Sequence, residues 1–473
     1  MKKVFILSFL IICIVISSCT GHKKHNGQEE QPIEYGKINK TVKCKKNVTH
    51  TYALYIPSNF DKNKKYPIIV CFDPHGNGAL PLELLKDNAE KLGYILAGSN
   101  VSKNGLLWDE VSAHYDILLT DLSDRFSIDP GRIYTCGFSG GSRIASSVAI
   151  MKSGIAGVIG CSGGFPQFKQ SLKNKFDYIG FAGSDDMNYA EMAGLDLGLE
   201  QNKFRHQFVR FDGTHGWPPK DILKEAFVWT ELNAMRDKKK NEDKNYIEQQ
   251  FSIFKNELEN VKKQRNSYDE YLMTKKIVNY FKGLADTKVY EESLSKLETD
   301  PAVKNGINNN ELNLKRELTM QKQYGEKIST ENAQWWKNEV AKLNTFIIMG
   351  KNDEEKHIVI RVLEYLSLAS FSASSSLYSQ GRYAEAEHYI ELYAIIDTDN
   401  PEPEFMYAQI FARQNNADKT MEHLKKAAGL GFSEKSRIDN DTIFQKFNSD
   451  KRFSEITDII IKNENQKQLN TGK

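Results

Sequence analysis

Gly137-Phe138-Ser139-Gly140-Gly141 places a serine between glycines, where an apolar run ends and a helical pattern begins. In a strand-turn-helix setting such a serine takes a strained backbone conformation, and only glycine-sized neighbours avoid collision with the crossing strand and helix. The chemistry on offer is nucleophilic attack on an ester or thioester carbonyl, and it requires an acid and then a histidine later in the chain. The alternative is a tight glycine-rich turn with an idle serine. Gly183-Ser184-Asp185-Asp186-Met187-Asn188 supplies the acid, with either aspartate able to sit beyond a strand end. Phe211-Asp212-Gly213-Thr214-His215-Gly216-Trp217-Pro218 supplies the histidine, whereas His206 precedes its strand, at the wrong end for a site at the strands' C-terminal edge. A tetrahedral oxyanion would need two amides. One follows the serine, at Gly140, and the other lies in the loop Phe72-Asp73-Pro74-His75-Gly76-Asn77-Gly78, at Gly76 or Asn77. His75 is read as organising that loop, with a role as base as the alternative. Trp108 and Trp217 line an acyl pocket or pack at its rim. The chemistry needs no metal and no cofactor. Cys71, Cys136 and Cys161 lie in or beside apolar strands and read as small buried hydrophobes.

These groups need a scaffold, and the sequence between residues 40 and 236 alternates strand and helix. Strand patterns cover His50 to Ile56, Tyr66 to Phe72, Tyr94 to Ser99, Arg132 to Phe138, Ile155 to Cys161, Tyr178 to Ala182 and Gln207 to Phe211. Several are continuously apolar, as strands buried on both faces must be. Helical patterns fall between them, at Leu82 to Leu92, Asp109 to Phe126, Ser142 to Met151, Tyr189 to Asn202 and Lys220 to Met235. Asp129-Pro130-Gly131 reads as a turn before one strand. The fold class expected is α/β, a doubly wound, mostly parallel sheet followed by an all-α helical-repeat region.

His75-Gly76, Gly137-Phe138-Ser139-Gly140-Gly141, the Gly-x-x-Asp turn ending at Asp186 and Thr214-His215-Gly216-Trp217-Pro218 together resemble the α/β-hydrolases, in the manner of feruloyl esterases and polyhydroxybutyrate depolymerases. The resemblance implies a carboxylic ester hydrolase with Ser139, Asp186 and His215 as its triad. It favours Asp186 over Asp185, and puts an oxyanion amide just after His-Gly. Asp73 is a departure, since those esterases carry an apolar residue in the segment before His-Gly. A serine peptidase on the same fold and a catalytically silent binding platform are the competing readings.

Lys2 and Lys3 precede an almost unbroken apolar run of 13 residues, Val4 to Ile16, too short for the roughly 20 residues of a membrane span. The run ends in Ile16-Ser17-Ser18-Cys19, which resembles the lipobox of bacterial lipoproteins. That implies a signal peptide over 1–18, lipid on Cys19, a polar tether over 19–39 and a place in the bacterial cell envelope, reached by the lipid anchor alone. An ordinary secretory signal is the alternative. His22 and His25 fall in the tether and read as solvated.

Arg236 to Lys244 carries charges of both signs and reads as a solvated linker to a helical region over 237–363. Over 364–460 a 34-residue self-similarity sets Leu377 on Phe411, Gly381 on Asn415, Ile390 on Leu424 and Ala394 on Ala428. That spacing and Gly381-Arg382-Tyr383-Ala384-Glu385-Ala386 resemble the tetratricopeptide repeat, implying a stacked helical surface for a protein partner, with a capping tail through Phe444, Phe447 and Phe453. The helical half is expected to fold by itself, so a chain ended near Lys240 would keep hydrolysis of small esters. Lys and Arg total 64 against 62 Asp and Glu, and removing 1–18 takes away only Lys2 and Lys3. The charges then balance, which argues against nucleic acid as a bulk partner.

Overall fold

Continuously apolar stretches become the centre of an eight-stranded sheet. The computed structural model describes residues 32–166, 174–350 and 352–471. Its strands are β1 (Ile38–Lys43), β2 (Thr51–Tyr55), β3 (Tyr66–Phe72), β4 (Ile95–Ser99), β5 (Ile128–Phe138), β6 (Ile155–Cys161), β7 (Asp177–Gly183) and β8 (His206–Phe211), in the spatial order β1-β2-β4-β3-β5-β6-β7-β8. The β1/β2 and β2/β4 pairs are antiparallel and all others parallel. Every residue of β3 and β6 is buried, as their unbroken apolar sequences require.

Four helices connect strands, α1 (Ala79–Leu92), α2 (Trp108–Arg125), α3 (Gly140–Met151) and α4 (Tyr189–Gln201), and α5 (Lys220–Arg236) follows the last strand. Side chains alternate across the sheet. Ile69, Cys71, Cys136, Ile159 and Phe181 join a core with Leu82 and Leu85 of α1 and Leu223, Phe227 and Leu232 of α5. On the opposite face the Thr135 hydroxyl donates to the Ala145 carbonyl of α3 at 2.9 Å. The α/β expectation therefore holds, with two local differences. The last residues of the expected tether, which ends at residue 39, belong to the folded unit, where Ile38 packs against the core and Tyr35 meets Phe60 edge to face. Asp129-Pro130-Gly131 lies inside β5, where the β3/β5 register shifts by a bulge between Tyr66 and Ile68.

All-α structure follows: α6 (Lys244–Lys263), α7 (Ser267–Phe281), α8 (Lys288–Leu297), α9 (Pro301–Lys327), α10 (Ala333–Met349), α11 (Asp353–Ser379), α12 (Tyr383–Ile396), α13 (Glu402–Arg413) and α14 (Ala417–Gly429). The change at residue 236 is one of secondary structure and not of packing. Ile247, Phe254, Leu258, Ile277, Tyr280 and Phe281 belong to the same buried core as α1 and α5, with Tyr280 against the Trp229 ring. Arg236 to Lys244 is mostly exposed, as a solvated linker would be, but two of its side chains anchor it to the flanking helices. Arg236 donates to the Tyr280 carbonyl at 2.6 Å and Lys240 pairs with the buried Glu231, which also binds Arg132. Glu34–Lys473 forms one compact unit, so the expectation of a separately folded helical half is corrected by this shared core.

The 34-residue spacing is a spacing of turns. Gly381 and Asn415 both have positive φ, at 75° and 56°. Arg382 N donates to Leu377 O at 2.9 Å, and Asn416 N to Phe411 O at 3.0 Å, so the two helix pairs α11/α12 and α13/α14 reverse in the same way. Phe444, Phe447 and Phe453 are buried with Phe405, Met421 and Leu424 at the end of the second pair.

Candidate active site

Three turns at the C-terminal edge of the sheet carry the polar groups singled out above. β5 runs directly into α3, and Ser139 stands at the junction with φ 53° and ψ −119°. A Cβ on Gly137 would lie 2.1 Å from Gly141 O, and one on Gly141 would lie 2.1 Å from Phe72 O, so side chains at these positions would push strand and helix apart. The turn after β7 holds Asp186, wholly buried, and the loop after β8 holds His215.

His215 Nδ1 donates to Asp186 Oδ1 at 2.8 Å, and His215 Nε2 lies 3.1 Å from Ser139 Oγ. An ionised carboxylate only accepts, so the proton sits on Nδ1 and the Nε2 lone pair faces the serine hydroxyl. Asp186 Oδ1 also accepts from the Asn188 amide at 2.8 Å, which fixes the carboxylate's direction. The imidazole packs against the Phe138 ring at 4.8 Å. This arrangement can take a proton from Ser139 and keep the imidazolium in place beside a buried negative charge.

Asp185 is turned away from this chain and pairs with His357 Nδ1 of α11 at 2.5 Å. His206 is buried at the start of β8, with Nδ1 bonded to Phe204 O at 2.7 Å and Nε2 facing Asp196 at 3.2 Å.

The loop after β3 differs from expectation. Asp73, 2% exposed, accepts at Oδ1 from His75 N at 2.9 Å and Asn77 N at 3.3 Å, while its carbonyl accepts from Gly76 N at 3.1 Å. The Gly76 and Asn77 amides expected in the oxyanion hole are thus spent on Asp73. The departure noted in the sequence has this physical reason: a carboxylate gathers the loop's amides around itself. The His75 ring is 85% exposed and takes no part in the triad. Gly140, by contrast, opens α3, and among the described residues its amide has no acceptor.

Asn104 was not singled out by the sequence. Its amide donates to Pro74 O at 2.9 Å, and its carboxamide lies over Gly140, so that a Cβ there would fall 1.8 Å from Asn104 Oδ1. No local pattern marks it, because it reaches the serine turn from the loop before α2. Trp217 joins two loops: its ring packs on Phe138 at 5.6 Å and its Nε1 donates to Asp73 Oδ2 at 3.3 Å. Trp108 opens α2, half-buried, and among the described residues no hydrogen bond or ring contact joins it to the triad.

Cys71, Cys136 and Cys161 sit on neighbouring strands beneath the serine, fully buried, with Cys71 opposite Cys136 in register. Burial pushes the Cys71 and Cys161 thiols up. Above the acid turn, Glu364 of α11 has its carboxyl pushed up to about 7, first by burial and then by the Asp186 charge, against the opposing pull of the His215 ring and amide. Among the described residues no group of histidine, cysteine and carboxylate side chains is arranged to hold a metal ion.

No family model matches the sequence, and no curated protein matches it. Among solved structures the chain is similar to an S-formylglutathione hydrolase from Staphylococcus aureus, at 13% identity over 38% of this chain and 90% of that one, with a TM-score of 0.33. It is also similar to a ferulic acid esterase, at 16% identity over 38% and 88%, TM-score 0.31. An esterase from Pyrobaculum calidifontis shares 15% identity over 42% and 85%, TM-score 0.34.

Proposed function

We propose that the protein is a lipid-anchored serine hydrolase of the bacterial cell envelope that cleaves carboxylic esters. The observation that carries this reading is the bonded sequence Ser139–His215–Asp186 at 3.1 and 2.8 Å, with the serine at positive φ on a strand-to-helix turn. Ser139 Oγ attacks the ester carbonyl and passes its proton to His215 Nε2, which returns it to the departing alcohol. Asp186 holds the Nδ1 tautomer and stabilises the imidazolium. Water then repeats the cycle on the acyl-serine. We assign the tetrahedral oxygen to the Gly140 amide and to the Asn104 carboxamide that lies over Gly140, with its terminal torsion turned so that the nitrogen donates. The signal and Cys19 lie outside the described residues, and the anchor rests on the Ile16-Ser17-Ser18-Cys19 pattern. The repeated helix pairs support a second role, binding a protein partner on the surface that stacked pairs create.

The test is labelling with a fluorophosphonate probe together with turnover of a panel of aryl esters. Wild-type protein should bind one equivalent and turn over; Ser139→Ala should do neither at unchanged melting temperature. Hydrolysis that survives in Ser139→Ala would remove the mechanism.

A further inference from the structure

The turn that carries Asp186 is held from outside the sheet. Its amides are met locally: Ser184 N donates to Phe211 O at 2.7 Å, Asp185 N to Gly213 O at 2.9 Å and Asp186 N to Gly183 O at 3.2 Å. Asp186 O accepts from Tyr189 N at 2.8 Å, and three further acceptors of the turn are met by the helical half. Arg361 Nη1 of α11 donates to Ser184 O at 2.6 Å, His357 Nδ1 to the Asp185 carboxylate, and Gln321 Nε2 of α9 to Met187 O at 3.2 Å.

Arg361 is 1% exposed and fully engaged. Its Nε donates to Glu317 Oε2 and its Nη2 to Glu354 Oε1, both at 2.9 Å, and its guanidinium lies 4.4 Å from the centre of the Tyr189 ring, just past the acid turn. Glu317 is wholly buried as well. A buried ion pair of this kind is a poor way to gain stability, since well-packed apolar side chains of similar volume do as well or better. What the pair supplies here is direction: a planar fork, braced by two carboxylates, aimed at one carbonyl of the turn that sets the triad's acid.

We propose that Arg361 is a positioning residue of the hydrolytic site, fixing the Ser184–Met187 turn so that Asp186 meets His215, and that the helical half is thereby part of the catalytic apparatus. The inference rests on the Ser139–His215–Asp186 reading. The required precision is high, because a displacement of about 1 Å in a catalytic group costs on the order of 100-fold in rate.

The experiment uses the full chain. Arg361→Met alone would leave Glu317 buried without its partner, so the informative variant is Arg361→Met with Glu317→Met, which removes both charges together. Gln321→Leu, which removes the bond to Met187 O and a longer one to Glu317 Oε1 at 3.4 Å but leaves both buried charges in place, is the second. Turnover of an aryl acetate is measured per active site counted by fluorophosphonate titration. The double variant should lose about 10- to 100-fold in kcat with KM within about twofold, and Gln321→Leu should lose several-fold in the same sense. A role in stability alone would lower the melting temperature and the count of active sites while leaving kcat per site unchanged, and that result overturns the proposal. So does a raised KM at unchanged kcat. If the double variant does not fold, Gln321→Leu decides by the same criteria. Ser139→Ala in the same assay separates the two layers: a dead Ser139→Ala beside a double variant with wild-type kcat sinks this inference alone, whereas an active Ser139→Ala sinks the reading beneath it as well.

Discussion

Asp185 and Asp186 are consecutive, yet their carboxylates serve opposite halves of the molecule: Asp186 accepts from His215 at 2.8 Å and Asp185 from His357 of α11 at 2.5 Å. Asp186→Asn should therefore cost about 10⁴ in kcat, because an amide in that place favours the wrong imidazole tautomer. Asp185→Asn still accepts a hydrogen bond from His357 and should keep kcat within about tenfold, with a lower melting temperature. Steady-state kinetics and thermal melts on the two variants check this, and the reverse order would move the acid to Asp185.

With the Gly76 and Asn77 amides bonded to Asp73, the proposed second donor to the oxyanion is the Asn104 carboxamide, which lies over Gly140. Asn104→Ala should lower kcat by about 10²- to 10³-fold at unchanged melting temperature. Unaltered turnover of an aryl acetate would assign the donor elsewhere.

Glu364 carries a pH signature. Its carboxyl, ordinarily near 4.5, holds its proton to about 7 in the folded chain, through burial and the neighbouring Asp186 and Asp185 charges, opposed by His215. Between those values the native state binds more protons than the unfolded one, so this group's contribution to stability falls as pH rises through the interval and is flat above it. Glu364→Gln should raise the melting temperature at pH 8 and leave it nearly unchanged at pH 4. An equal shift at both would show that the carboxyl is not titrating there.

Ending the chain after Arg236 should give an insoluble product. It strips Ile247, Phe254, Leu258, Ile277, Tyr280 and Phe281 from a core that includes Trp229. Each such side chain contributes about 1.5 to 3 kcal/mol by burial, so together they rival the whole net stability of an ordinary domain. Sedimentation and esterase assay of the truncated chain decide it; a soluble, active product would show that the sheet stands without α6 and α7.

Cys19→Ala should move the protein from the membrane fraction to the soluble one. Retention after a high-salt wash would mean that something other than lipid holds it.

Most of the sheet was legible because β3 and β6 are unbroken apolar runs, which only strands buried on both faces tolerate. β1 was not, since Ile-Asn-Lys-Thr-Val-Lys at a sheet edge exposes much of what it carries and shows no strand pattern. That Ser139, His215 and Asp186 would come together could be read from motif and chain order. The oxyanion loop could not, because whether an amide is free depends on where the Asp73 side chain turns. Least legible was the docking of the helical half. Arg361 and Ser184 are 177 residues apart, and nothing local in α11 distinguishes an arginine aimed at a distant carbonyl from one on a solvated face.

The row of thiols under Ser139 makes the molecule its own reporter. A thiol reagent must touch a thiolate to react, and Cys71, Cys136 and Cys161 are buried at the centre of the sheet with Cys71 and Cys161 held protonated. Cys44, also buried, lies just beyond the edge strand β1. Labelling should then proceed on two clocks, a faster one for fraying of the edge at Cys44 and a slower one for opening of the β3–β5–β6 centre, so that exchange-style kinetics of regional unfolding can be followed without introducing any probe.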